Sequence, residues 1–248
     1  QHSTVLTIDA RRGRGKSVCL GWFIKALGSK AQHGPAIVTA PSKRSLNAMM
    51  QTSAMPSINF YALDALLTSL PDAGVLIVDE AAAIPLSQLI KLIKAYKLVV
   101  LSSTQDGYEG SGQGYRLKLP HIIASLGRSN KQMTLTQPMR WQAGDALENF
   151  IRSSFLCDVE LPNINHNAFS DSSLALTYSQ VTGATLAQNQ TLLRQVYGLL
   201  MLAHYQTTPQ DLRLLLDHPQ HQIHLCFVGE HLVGLAWVAE EGNLDASL

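Results

Sequence analysis

The stretch "STVLTIDARRGRGKSVCLGWFIKAL", residues 3–27, constrains the fold of this chain more than any other. Residues 3–10 are β-branched and apolar and stop abruptly at a basic, glycine-containing loop. From Lys16 onward, Cys19, Leu20, Phe23 and Leu27 recur at helical spacing. A strand, a glycine loop and a helix in that order present the free N–H groups and positive dipole end of the helix to an anion. Residues 10–17 carry the ending of the phosphate loop G-x-x-x-x-G-K-[ST]. In that loop, backbone N–H groups wrap a phosphate, the lysine reaches the β- and γ-phosphates and the hydroxyl binds Mg²⁺. Ala10 stands where the motif has its entry glycine, a less permissive residue in a tight turn. Gly13 and Gly15 still permit the tight backbone, so the cradle is expected to form.

The apolar runs that follow extend this into an α/β architecture. Residues 35–41, 57–62, 74–80 and 97–104 read as strands, separated by helix-compatible stretches such as 42–52 and 86–96, and 131–141 reads as one more strand ending in a loop. Continuous apolar strands alternating with helices predict a mostly parallel sheet covered on both faces.

One of these strands carries an acidic end. "VLIVDEAAAIP", residues 75–85, places Asp79 and Glu80 directly after four apolar residues. A carboxylate at a strand's carboxyl end suits the Mg²⁺ shell of a nucleotide, and the next one suits polarising the attacking water. Asp79 with Ser17 is therefore expected at the metal, and Glu80 with Lys16 and Asp79 in catalysis. Arg11, Arg12 and Arg14 could reach the nucleotide or RNA phosphates, or form a solvated basic loop.

The D-E pair, "VTAP" (38–41) and "SST" (102–104) resemble the helicase class of P-loop proteins, and that resemblance implies that Ser103 and Thr104 couple hydrolysis to nucleic acid. "RGRGKS", "DEAAAIP", "GYEGSGQGY" (107–115), "QPMRW" (137–141) and "LAHYQTTPQDLRLLLD" (202–217) together are similar to the bacterial tRNA(Met) cytidine acetyltransferase family. The resemblance implies a RecA-like, helicase-type ATPase module followed by a GNAT acetyltransferase domain, which together acetylate the wobble cytidine of elongator tRNA(Met) with acetyl-CoA and ATP or GTP. It places the nucleotide on Arg12, Gly13, Arg14, Gly15, Lys16, Ser17 and Arg140, the last a planar fork suited to a γ-phosphate. It also suggests that Tyr108 and Tyr115, among the glycines of 107–115, stack on RNA bases or belong to a loop covering the nucleotide. The alternative is a P-loop helicase-type ATPase that acts on nucleic acid without acetylating it.

The expected organisation is a helicase-like ATPase domain over 1–157, a linker rich in Asn, Ser and Pro over 158–173, and an incomplete, GNAT-like α+β part over 174–248. In the last part, 188–205 reads as one long helix, 207–217 as a second with Thr208 as N-cap and Pro209 in its first turn, and 222–229 with 231–241 as a hairpin. No basic, glycine-rich turn follows that hairpin, so the acetyl-CoA-binding loop is expected to lie outside this chain. One RecA-like lobe favours reshaping tRNA over translocating along it. A net charge of +1 gives no global field to advertise nucleic acid. Three widely spaced cysteines fit free thiols in a reducing cytoplasm, and no apolar run reaches membrane-spanning length. His218, His221 and His224 recur at three-residue intervals, but Pro219 and the following strand break any shared helical face, so no metal is expected there.

Overall fold

The computed structural model describes residues 3–28, 34–43, 46–53, 58–104, 112–159, 175–203 and 208–239. They form two compact units, 1–148 and 149–248.

In the first unit, β1 (Thr4–Ala10), β2 (Ala36–Thr39), β3 (Asn59–Phe60), β4 (Val75–Val78), β5 (Leu98–Thr104) and β6 (Ser129–Leu135) make one sheet in the order β3-β2-β4-β5-β1-β6. Every pairing among them is parallel. Helices α1 (Lys16–Gly28), α2 (Leu46–Ser53), α3 (Leu63–Ser69), α4 (Leu86–Ala95) and α5 (Gly112–Ser125) connect them. The central strands are apolar on both sides because helices cover both faces. Leu20 and Ile24 of α1 and Met49 of α2 pack with Ile8, Val75, Ile77 and Val100. Leu89, Leu92 and Ile93 of α4 and Ile123 of α5 pack with Val5, Leu76, Val78, Val99 and Leu101 on the other face. The period of two in a strand then dictates where the polar residues at the strand ends must go. Asp79 and Ser102 continue the α1 face, whereas Asp9 and Ser103 continue the α5 face.

The strand expected over 131–141 begins earlier and ends at Leu135, after which 136–145 folds into turns. Helix α6 (Ala146–Ser154) follows.

In the second unit, β7 (Leu176–Val181), β8 (His221–Val228) and β9 (His231–Ala239) form an antiparallel sheet. Helices α7 (Gly183–Gln188), α8 (Gln190–Ala203) and α9 (Pro209–Asp217) lie between its first two strands in sequence. The helix expected over 188–205 is interrupted at Asn189. That residue leaves helical geometry (φ −121°, ψ 87°), and its side-chain oxygen accepts from Leu192 N at 3.0 Å, an N-cap that starts α8 afresh. Thr208 caps α9 as expected and forms a full capping box with Asp211. His204 and Tyr205, and most of the linker expected over 158–173, lie outside the described residues. His218 stacks on His221, whose Nδ1 accepts from Trp237 Nε1 at 3.1 Å. Among the described residues, no helix is long and apolar enough to cross a membrane.

Candidate nucleotide-binding site

The loop from β1 to α1 adopts the backbone that its glycines allow. Gly13 (φ +77°) and Gly15 (φ +83°) both occupy the left-handed region, where a side chain is strained. Ala10, at the motif's entry position, is not in that region. It ends β1 in register with Thr104 and Leu135, so no left-handed backbone is asked of this position. The helix proper opens with Lys16, and Cys19 N bonds back to Gly15 O at 2.9 Å. Lys16 Nζ donates to Thr104 Oγ1 at 2.7 Å and to Ala10 O at 3.4 Å, which holds the ammonium at the carboxyl edge of the sheet. Ser17 sits half-buried in the first turn of α1.

The acidic pair lies at the same edge. Asp79 is 2% exposed; its Oδ1 accepts from Ser102 Oγ at 2.8 Å and from Glu80 N at 3.2 Å. Burial pushes its carboxyl above the ordinary range, and the two hydrogen bonds and the Lys16 charge oppose that rise. Glu80 is exposed and held in the left-handed region (φ 53°, ψ 43°), turning the chain from β4 into the 3₁₀ turn Ala81–Ala83. A non-glycine residue there carries a strain of about 1–3 kcal/mol that the surroundings must hold in place.

The last three residues of β5 each serve a different charged group. Ser102 donates to Asp79, Ser103 donates to Asp9 Oδ1 at 2.6 Å, and Thr104 accepts from Lys16. Asp9 is 4% exposed and also accepts from Gln132 Nε2 at 2.9 Å. Tyr115, suggested as an RNA-stacking residue, is 5% exposed in the core on this α5 face. Burial and the nearby Asp9 charge push its phenol well above the ordinary range. Its ring is spent on packing and has no surface to offer a base. Tyr108 lies outside the described residues, as does the rest of 107–111.

The segment after β6 lies over the phosphate loop. Met139 N donates to Gly13 O at 2.9 Å, and a Cβ on Gly13 would fall 2.5 Å from Cη2 of Trp141. Arg14, expected as a nucleotide ligand, is 7% exposed and its guanidinium is engaged by protein. It pairs with Glu148 at 2.6 Å and donates to Arg12 O and Thr136 O. Its side chain is therefore held by protein groups on both sides. Arg12 and Arg140 are exposed. Glu148 and Trp141, which build this cover, were not among the residues the sequence singled out as functional.

A parallel sheet in which β5 separates the glycine-loop strand from the acidic strand, with the lysine hydrogen-bonded to the end of β5 and the aspartate at the end of β4, defines a RecA-like P-loop module. Residues 7–158 match the family model for the helicase domain of the RNA cytidine acetyltransferase NAT10/TcmA, and the chain belongs to that family. It is 36% identical over 259 residues to the tRNA(Met) cytidine acetyltransferase TmcA of Vibrio cholerae, covering 97% of this chain and 36% of the relative. It is 38% identical over 245 residues to that of Salmonella typhimurium, covering 98% of this chain and 34% of the relative. The chain thus spans about a third of the length of the curated relatives it matches.

Proposed function

We propose that this chain carries the nucleotide-driven module of an enzyme that acetylates the wobble cytidine of elongator tRNA(Met) in the cytoplasm, with acetyl-CoA as donor. Family membership and two relatives named for that activity support the reaction class. Residues 174–248 are read as the opening of the GNAT-like part.

The loop fits a nucleoside triphosphate, ATP or GTP, on three grounds. Two left-handed glycines shape it, α1 starts at its end, and the lysine is already stationed beside it. Arg12 to Ser17 would wrap the phosphates, Ser17 and Asp79 would hold Mg²⁺, and Arg140 would face the γ-phosphate. Bound Mg²⁺ would neutralise phosphate charge. Within the chain, Lys16 would bring a positive charge to the phosphates, Ser102 keeps the Asp79 carboxylate oriented, and the exposed Glu80 would orient a water. The observation that carries the reading is the convergence of Lys16, Asp79 and Thr104 at one strand edge.

Hydrolysis in a single lobe is read as changing how tRNA is held, exposing the cytidine at a cost of a few kcal/mol of unstacking. The experiment is nucleotide turnover with and without tRNA(Met). Stimulation by tRNA supports the coupling, and an unchanged rate together with an unchanged nucleotide affinity refutes it.

A further inference from the structure

The cover over the phosphate loop contains a buried ion pair to which nucleotide binding assigns no task. Arg14 and Glu148 meet with side chains 5% and 16% exposed. Burying two charges costs several kcal/mol per ion unless the geometry is good and the remaining donors and acceptors are satisfied. The pair is short and hydrogen-bonded on both sides. The second carboxylate oxygen of Glu148 accepts from Trp141 Nε1 at 2.6 Å, and Arg14 donates to Arg12 O at 3.0 Å and to Thr136 O at 3.3 Å. The Arg14 guanidinium carbon lies 5.8 Å from the centre of the Trp141 ring, within cation–π range. Glu148 is itself fixed at the start of α6, where its N–H donates to Asp145 Oδ1 at 2.9 Å.

This latch bears directly on the loop. The Trp141 ring fills the space where a Gly13 side chain would stand, and Met139 N–H holds the Gly13 carbonyl. The Gly13–Arg14 peptide is trans and planar, so a carbonyl committed to Met139 sends the Arg14 N–H to the opposite side. Backbone N–H direction is what a phosphate cradle is made of.

We propose that Glu148 is a positioning residue of the nucleotide site, acting through Arg14 and Trp141 to fix the Gly13–Arg14 peptide and the segment carrying Arg140. This rests on the nucleotide-binding reading of the loop. A buried pair kept for stability alone is replaceable by apolar residues at little cost, whereas one kept for geometry is not replaceable without loss of binding.

The test uses the Trp22→Phe/Trp237→Phe background, in which Trp141 is the sole remaining tryptophan of the three. Its emission is followed during titration with MgADP. Glu148→Gln, Arg14→Met and the double variant are then compared. The latch requires that Trp141 emission respond to MgADP. Each single variant should weaken affinity about tenfold, the lower end of what supporting residues cost. The double variant should be no weaker than the worse single, because either change alone opens the latch. Unchanged affinity in a folded Glu148→Gln variant, additive losses, or an unresponsive Trp141 in a protein that binds MgADP overturns the latch and leaves nucleotide binding standing. Absence of MgADP binding to the parent background overturns both. Should the single variants fail to fold, Glu148→Asp and Arg14→Lys take their place in the same comparison.

Discussion

Lys16 and Thr104 are joined by a 2.7 Å hydrogen bond from the ammonium to the hydroxyl, linking the first residue of α1 to the last residue of β5. β5 pairs with both β1 and β4, so its end is the point where the lysine and the acidic pair are brought into register. Removing the hydroxyl while keeping the volume, in Thr104→Val, is expected to raise the KM for nucleotide severalfold, because the lysine loses the shorter of its two hydrogen bonds at the strand ends. Thr104→Ser should restore the parent value. Steady-state hydrolysis kinetics on the three proteins checks this, with equal KM values in all of them counting against a role for Thr104.

Glu80 is exposed, and its backbone turns in the left-handed region directly after β4. Glu80→Gln is expected to lower kcat by about 10²–10⁴, the usual range for loss of a general base, with nucleotide affinity little altered. Retention of full turnover would mean that the module binds without this residue acting on water.

Asp79 is a carboxylate whose burial raises its pKa. The sign of the linkage follows: the folded state binds the proton more tightly than the unfolded one. The associated stability is fully present below the ordinary carboxylate value and is lost as pH rises through the raised folded value. At neutral pH the ionised side chain is therefore a burden on the nucleotide-free fold. Asp79→Asn is expected to raise the thermal midpoint at pH 7, by about 2–4 °C per kcal/mol in a chain of this size, with the gain shrinking in acid. Thermal melts at two pH values without nucleotide check it, and a destabilised Asp79→Asn at pH 7 contradicts it. The same variant should lose Mg²⁺-dependent nucleotide binding.

Gly13 is constrained twice, by φ +77° and by the Trp141 ring against it. Gly13→Ala should cost about 1–2 kcal/mol from the left-handed backbone alone, with the steric conflict added. Trp141→Leu in the same chain should relieve only the steric part. Denaturant unfolding of the single and double variants separates the two contributions.

How legible all this was in the sequence varies with the range of the interaction concerned. The glycine loop, Lys16 and Asp79 were readable because local pattern dictates them: a strand must end and a helix must begin where the loop stands, and the acids follow a four-residue apolar strand. Ala10 looked like a defect only because the motif was read as a turn; in the structure that position still belongs to β1. The ion pair of Arg14 was not legible because its partner, Glu148, lies on a helix far along the chain, beyond any local spacing rule. Tyr115 sat in a glycine-rich segment that suggested an exposed loop, yet it begins a turn of α5 that packs on the sheet. The break at Asn189 was hidden by an apolar period that continues across it, where a side-chain cap outweighed helix propensity. Strand β7 was missed because its exposed residues show little apolar signal, and pairing with β8 supplies the order instead.

Lys16 and Asp79 are proposed to hold one nucleotide between them at the carboxyl edge of this sheet. Calorimetric titration with ATP, with and without Mg²⁺, on the parent chain and on Lys16→Ala tests it most directly. The expected outcome is Mg²⁺-dependent binding to the parent and a loss of at least about 100-fold in affinity, or about 2.7 kcal/mol, in the variant. Equal affinity in the two proteins, or no binding by the parent, would contradict it.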